Sequence, residues 1–195
     1  MIVATPDEEI VAACSGFCEV VRTRSDHPSG TDRIAEVAES VSADVYVNVQ
    51  GDEPLVSPSD IAACAAPLLA DSAVEMGSVF AECREEELGN PAVVKVVTDL
   101  AGDALYFSRF AVPFDRSARV EPVRKHVGLY AYTAGVLAGF ATWSQTPLEK
   151  AESLEQLRFL EHGVKIRMSR GVGSPVAVDT PEQAEAVRAL LAGER

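Results

Sequence analysis

Two aspartates, Asp52 and Asp179, stand at equivalent places in the order of this chain's predicted elements. Asp52 follows VYVNVQG, in which residues 45 to 49 are almost wholly β-branched or aromatic and read as a strand. Asp179 ends the apolar run PVAV. It directly precedes Thr180, Pro181 and Gln183, which read as the cap, first-position proline and capping-box partner of a helix. In open α/β sheets ligands bind beyond the carboxyl ends of the strands, so Gln50, Gly51, Asp52 and Glu53 sit where a site is expected. Two such aspartates on one sheet edge offer hard oxygen ligands, with water and phosphate completing the shell. A protein usually holds Mg²⁺ in this way, and the chemistry it suits is phosphoryl or nucleotidyl transfer. Each carboxylate also has a plainer reading, Asp52 in a solvated turn and Asp179 as an acid beside a helix macrodipole.

Three further groupings carry chemical meaning. In RSDHPSGTDR a Ser-Gly-Thr turn, Ser29 to Thr31, feeds a helix N-terminus whose free N–H groups suit a phosphate, a carboxylate or a base edge. In RKHVGLYAY, His126, Gly128 and Tyr130 alternate, so a strand places them on one face with room at the glycine between two polar aromatic groups. A packed His and Tyr pair is the simpler alternative. In LEQLR, Glu155 and Gln156 lie within a predicted helix whose Leu154, Leu157 and Leu160 face the core. Adjacent polar residues at such positions are ordinarily solvated.

These residues need elements to hold them. Residues 1 to 4 read as a strand, 6 to 15 as a helix and 18 to 22 as a second strand. Thr31 is a natural cap for a helix with apolar face Ile34, Val37, Ala38 and Val41. The strand at 45 to 49 lacks clean polar alternation, as expected of burial on both faces of a parallel sheet. Ser57 caps a helix with Pro58 in its first turn, and Pro67 is expected to end or kink it. A strand at 76 to 81 follows, then two strands about a turn at 101 to 103. KHVGLYAY is a strand and Thr133 caps a short helix. TPLEKAESLEQLRFLEHG reads as one helix ended by Gly163, with a strand at 164 to 168 and a final strand and helix after it. The expected fold is α/β, a single domain over residues 1–195, with a mostly parallel twisted sheet, flanking helices and an inserted antiparallel hairpin.

The composition, 47% hydrophobic and 24% charged in 195 residues, is that of one globular domain. Seventeen basic residues against thirty acidic ones give a net charge of −13, which repels a phosphate backbone. Nucleic acid and anionic membrane are therefore not expected as partners, and an anionic substrate needs a local basic site or a metal. No apolar stretch approaches the ~20 residues of a spanning helix, and no signal peptide is evident, so the expected compartment is the cytoplasm. Cys14, Cys18, Cys64 and Cys83 form no CxxC pair and lie among small apolar residues, as expected of free thiols.

The segments SDHPSGTDRIAEV, VNVQGDEPL, NPAVVKVV, ALYFSR, RKHVGLYAY, TPLEKAESLEQLRFLEHGVKI and VDTPEQ, taken in order, resemble the 3-deoxy-manno-octulosonate cytidylyltransferases, or CMP-Kdo synthetases. The resemblance implies a glycosyltransferase-A-like nucleotidyltransferase fold, usually a homodimer. It implies an enzyme that couples CTP to the eight-carbon sugar acid Kdo, giving CMP-Kdo and pyrophosphate and activating the sugar for lipopolysaccharide synthesis. By the same resemblance Asp52 and Asp179 match the catalytic Mg²⁺ ligands. Ser29, Gly30, Thr31 and Arg33, with Gln50, match the nucleotide-binding stretch. Arg109, His126, Tyr130, Glu155 and Gln156 match positions lining the sugar-acid pocket.

The chain also departs from the family. Family members begin with an earlier strand and a basic loop of the type PARxxSxRLPGKPL that holds the triphosphate, whereas this sequence opens at MIVATPDEEI. The expectation is a domain incomplete at the N-terminus, with unpaired sheet edges where the earlier strand would lie. Two alternatives stay open at this point. One is a synthetase for a related nucleotide-activated sugar, which would keep the aspartates without the His-Gly-Tyr strand and LEQLR together. The other is a remnant that binds a sugar acid without turnover, for which binding of sugar without nucleotide would be the mark.

Overall fold

The computed structural model describes residues 1–116, 122–174, 176–178 and 180–193. Along the chain run β1 (Ile2–Thr5), α1 (Glu8–Cys14), β2 (Glu19–Arg22), α2 (Gly30–Ser40), β3 (Val45–Val49), α3 (Pro58–Ala70), β4 (Met76–Glu82), β5 (Lys95–Thr98) and β6 (Ala104–Ser108). There follow β7 (Arg124–Thr133), α4 (Ala134–Phe140), α5 (Pro147–Glu152), α6 (Gln156–Glu161), β8 (Ile166–Arg170) and α7 (Pro181–Gly193). No helix among the described residues is long and apolar enough to cross a membrane.

The sheet is organised by β7, which carries one core on each face. Tyr130 and Tyr132 point into one cluster with Phe107, Phe140, Leu157 and Phe159. Val127, Leu129 and Ala131 point into the other, with Cys64, Leu68 and Val79 under α3. This is period-2 alternation with an apolar layer on each side. β4 pairs antiparallel along one edge of β7 from Met76↔Tyr132 to Glu82↔Arg124, and β8 adds parallel to β4. Two strands share the other edge. β3 covers residues 129 to 133 and β5 covers residues 124 and 125, both antiparallel to β7. His126, Val127 and Gly128 lie at the break between them, and the β4 pairing is bulged there, Ser78 facing Tyr130 while Val79 faces Val127.

Several expectations are refined by this arrangement. The flanking helices and the β5–β6 hairpin are present, the hairpin turning through Gly102 at φ +85°. Among the described strands only β1–β2 and β4–β8 pair parallel, because β7 runs against each of its three neighbours. β3 is not the doubly buried strand its sequence suggests. Only Asn48 is fully buried, and among the described residues β3 pairs on one edge alone. β1 and β2 form a separate two-stranded sheet, so β1 too pairs on one edge only among the described residues.

The helices show where local signals are overridden. Ser57 caps α3 as expected, but the helix continues through Pro67 to Ala70, where burial of Leu68 against the sheet carries the last turn. α2 starts one cap earlier than expected. Ser29, not Thr31, accepts the Asp32 N–H, and Thr31 is buried in the first turn. The expected single helix over residues 146 to 163 is two, α5 and α6, broken at Ser153, whose φ of 52° is left-handed. Thr180 and Gln183 form the expected capping box before α7, while residues 176–178 form no strand. The four cysteines are free.

One buried ion pair ties the second half of the chain together. Arg158 on α6 donates from Nε to Glu149 Oε2 at 2.8 Å and from Nη2 to Glu149 Oε1 at 2.5 Å. Its guanidinium also lies 4.0 Å from the Phe140 ring centroid and 3.7 Å from Asp32 Oδ1. Burial works against the charge on each partner. The paired geometry outweighs it, holding the Glu149 carboxyl below its ordinary range and the Arg158 guanidinium above its own. Arg158→Met strands a buried carboxylate and is expected to cost about 3–5 kcal/mol in urea unfolding, whereas Arg158→Met with Glu149→Leu recovers more than half of that. A double variant no more stable than the single one would contradict this reading.

Candidate active site

The break between β3 and β5 opens into a cavity of about 1110 Å³. It collects nine of the eleven described residues singled out from sequence: Ser29, Gly30, Gln50, Asp52, Arg109, His126, Tyr130, Glu155 and Gln156. Thr31 and Arg33 are not among its lining residues, and Asp179 lies outside the described residues. Residues separated by more than a hundred positions meet here because the end of β3 and the start of β5 reach the middle of β7 along the same edge.

On the α2 side, Ser29 Oγ donates to Asp32 Oδ2 at 2.6 Å, and Gly30 begins the helix at the cavity wall. Thr31 turns inward. Its hydroxyl donates to Glu155 Oε1 at 2.8 Å, and because that uses its one proton, the Tyr132 hydroxyl 2.9 Å away donates to Thr31. The Thr31 side chain is thus a brace beneath Glu155. Arg33 is likewise spent on structure, reaching Thr23 Oγ1 and, at 2.9 Å, the Arg24 carbonyl. Gln50 leaves the end of β3 and lies against Gly128, where a Cβ would stand 3.8 Å from its side chain and 4.0 Å from Glu53 Oε1. These are ordinary van der Waals separations, so the β3 loop rests on β7 without needing the glycine.

On the opposite side, His126, Tyr130 and Tyr132 form a line of rings running from the cavity into the core, with centroids 5.3 and 6.0 Å apart. Burial pushes the His126 imidazole down to about 3, so the ring is neutral. Burial, with the Glu155 carboxylate next, pushes both tyrosine phenols well above their usual range, so Tyr130 keeps its proton as a donor. Glu155 and Gln156, which helix periodicity alone would leave solvated, stand where α6 begins after the Ser153 break, and Gln156 is buried. The same break exposes carbonyls that orient Arg109. Its guanidinium donates to Glu152 O at 2.7 Å, Pro91 O at 2.9 Å and Ser153 O at 3.2 Å. Carbonyl oxygens hold the guanidinium without neutralising it. Buried Lys95 completes the clasp by donating to the Asn90 and Arg109 carbonyls.

Asp52 Oδ1 and Glu155 Oε2, carboxylate oxygens buried in the cavity wall, have no hydrogen-bond partner among the described residues. Buried acceptors left in this state are costly unless a cation, a donor or water meets them. Among the described residues no three His, Cys, Asp or Glu side chains converge as a ready-made metal cage. An unpaired hard oxygen at Asp52 fits Mg²⁺, which keeps several waters and takes one or two carboxylates. The Val178 N–H donates to the Asp52 carbonyl at 2.8 Å, so the segment leading to residue 179 is fastened to the Asp52 loop.

Sequence reasoning passed over the cations at the far rim, Arg84 and Lys125, and Glu87 between them. Lys125 is adjacent to His126 on β7, so alternation assigns it to the other face. The break in the sheet edge opens the cavity to both faces, and both residues line it. Lys125 Nζ donates to Glu87 Oε1 at 2.7 Å and Arg84 Nη2 to the same oxygen at 3.0 Å, two cations sharing one carboxylate. Burial would raise the Glu87 carboxyl, but these hydrogen bonds win and hold it at about 2, against an ordinary 4.5. A depressed folded value stabilises the fold above the unfolded value. The contribution is therefore full above about pH 5 and lost as pH falls through 4.5 toward 2. Unfolding free energies of the wild type and Glu87→Gln should differ by a constant amount above pH 5 and converge toward pH 2, and a gap independent of pH would contradict the geometry.

Comparison with known proteins identifies the family. A cytidylyltransferase family profile matches residues 1–166. A 3-deoxy-manno-octulosonate cytidylyltransferase of Solibacter usitatus is 48% identical over 193 residues, covering 97% of this chain and 77% of that protein. The solved structure of a CMP:2-keto-3-deoxy-manno-octonic acid synthetase complexed with CTP superposes with a TM-score of 0.95 at 40% identity, over 100% of this chain and 81% of that one. The 4-diphosphocytidyl-2C-methyl-D-erythritol synthase of Anaerococcus prevotii shares the fold alone, with a TM-score of 0.60 at 12% identity over 95% of this chain and 77% of that one. The chain belongs to the 3-deoxy-manno-octulosonate cytidylyltransferase family.

Proposed function

We propose that this chain transfers the cytidylyl group of CTP to Kdo, releasing pyrophosphate and giving CMP-Kdo. The observation that carries the reading is one cavity in which the unpaired carboxylate of Asp52 faces the α2 N-terminus on one side and the Arg109, His126, Tyr130 and Glu155 cluster on the other. The α2 turn and Gln50 suit the nucleotide. The opposite wall suits a sugar acid: a fixed guanidinium for its carboxylate, a phenol donor, a neutral imidazole and an unpaired carboxylate oxygen for its hydroxyls. The relatives' names and the CTP-bound synthetase of similar fold support the same pair of substrates.

In this reading the anomeric hydroxyl of Kdo attacks the α-phosphorus of CTP in line and pyrophosphate leaves. Asp52 and Asp179 would hold Mg²⁺, which supplies charge neutralisation on the phosphates. The chain's own part is positioning. Arg109 fixes the carboxylate end of the sugar, while Tyr130, His126, Glu155 and Gln156 orient its hydroxyls, so that the attacking oxygen arrives aligned. The family resemblance further supports a cytoplasmic homodimer that supplies activated sugar for lipopolysaccharide synthesis.

Asp52→Asn and Asp179→Asn should each lower pyrophosphate release from CTP and Kdo at saturating Mg²⁺ to under about a tenth, with melting temperature unchanged, because a lost charged ligand removes several kcal/mol of stabilisation. Both should also abolish the CTP-dependent relaxation enhancement of Mn²⁺ used as a probe. Retained turnover and Mn²⁺ response in both variants would remove the metal from these residues. Thr31→Val should raise KM for Kdo several-fold through Glu155 and leave KM for CTP alone. An equal rise in both would return Thr31 to the nucleotide side.

A further inference from the structure

Ser78 on β4 is fully buried and belongs to none of the groups assigned to substrate. Its hydroxyl makes two contacts across the β-bulge in β7. Ser78 Oγ donates to the Leu129 carbonyl at 2.8 Å, and the same oxygen stands 3.0 Å from His126 Nε2. A serine hydroxyl has one proton, and a carbonyl oxygen can only accept. Once the proton is given to Leu129, the Ser78 oxygen can serve His126 only as an acceptor. The reverse assignment would spend the proton on His126 and give up the 2.8 Å bond to that carbonyl, setting two acceptor oxygens against each other at hydrogen-bond distance. The bulge sets up this demand, since Gly128 and Leu129 fall out of register with β4 between the Tyr130 and Val127 pairings.

We propose that Ser78 is a positioning residue that locks His126 as the Nε2–H tautomer, so that the bare Nδ1 presents a hydrogen-bond acceptor to a substrate hydroxyl in the cavity. Phe107, edge-on to the imidazole with centroids 5.0 Å apart, and Tyr130 at 5.3 Å fix the plane of the ring. Nδ1 makes no hydrogen bond among the described residues, and His126 lines the cavity. Depressed basicity from burial keeps the ring neutral, which an acceptor nitrogen requires. The consequence is a selectivity rule: a sugar acid that offers a hydroxyl at this point is held, and one that offers a carbonyl or ether oxygen there meets lone pair against lone pair. This extends the proposed sugar side of the cavity and rests on that reading.

The test is long-range ¹H–¹⁵N correlation on histidine-labelled protein, with the His126 signals identified by their loss in His126→Gln. The wild type should show the Nε2–H tautomer alone, Ser78→Ala a mixture of tautomers, and Ser78→Thr, which keeps the hydroxyl, the wild-type pattern. In kinetics Ser78→Ala should raise KM for Kdo about tenfold, the scale of one lost hydrogen bond, with KM for CTP unchanged. Kdo added to the wild type should shift the Nδ1 signal. An Nδ1–H tautomer or a mixture in the wild type would overturn the proposal even if the alanine variant fails to fold. Kdo that binds by calorimetry without moving Nδ1 would overturn the acceptor role. Kdo that does not bind at all would overturn the functional reading of the cavity instead.

Discussion

The site depends on a shared edge: β3 and β5 both pair with the same side of β7 and leave a gap in the ladder at residues 126 to 128, where the His126 N–H donates to the Val94 carbonyl at 2.8 Å. A continuous strand there would run across Gly128 and close the cavity. The β-bulge on the other edge reinforces the break, because it takes Gly128 and Leu129 out of the β4 ladder while preserving alternation, so His126 and Tyr130 still share a face. β7 remains rigid across this weak point because each of its faces packs into its own apolar cluster.

Around that opening, buried polar contacts join the two halves of the cavity. The chain from Tyr132 through Thr31 to Glu155 crosses from β7 to the first turn of α2 and on to the start of α6. Ser29, Asp32, Arg158 and Glu149 make a second crossing from the α2 cap to α5 and α6. Buried networks of this kind are costly when partly satisfied and rigid when complete, so the α2 turn and the start of α6 are placed with respect to one another by the same hydrogen bonds. Asp52 Oδ1 and Glu155 Oε2, without partners among the described residues, are points at which the framework stays open to a ligand.

Much of this was legible in the sequence, and the rest was hidden for identifiable reasons. The β7 alternation, the Ser57 and Thr133 caps and the Thr180 to Gln183 capping box rest on short-range rules, and the structure keeps them. Thr31 was misplaced because Ser29 and Thr31 are both good caps two residues apart, and only the buried partners Tyr132 and Glu155 decide between them. The helix break at Ser153 has no glycine or proline to announce it, and it turns Gln156 from a surface position into a buried wall. Lys125 was hidden by the alternation rule itself, which fails where the edge of a sheet is open. Ser78 carries no motif at all, and its role follows only from counting protons in three dimensions.

The most direct measurement is a crystal structure of the chain with CTP, Mg²⁺ and Kdo bound. The account places cytidine against the α2 turn and Gln50, the cation on Asp52, and Kdo in the break between β3 and β5 with its carboxylate toward Arg109 and its hydroxyls toward His126, Tyr130 and Glu155. Density for Kdo outside that break, or for nucleotide occupying the His126 and Tyr130 wall, would contradict it.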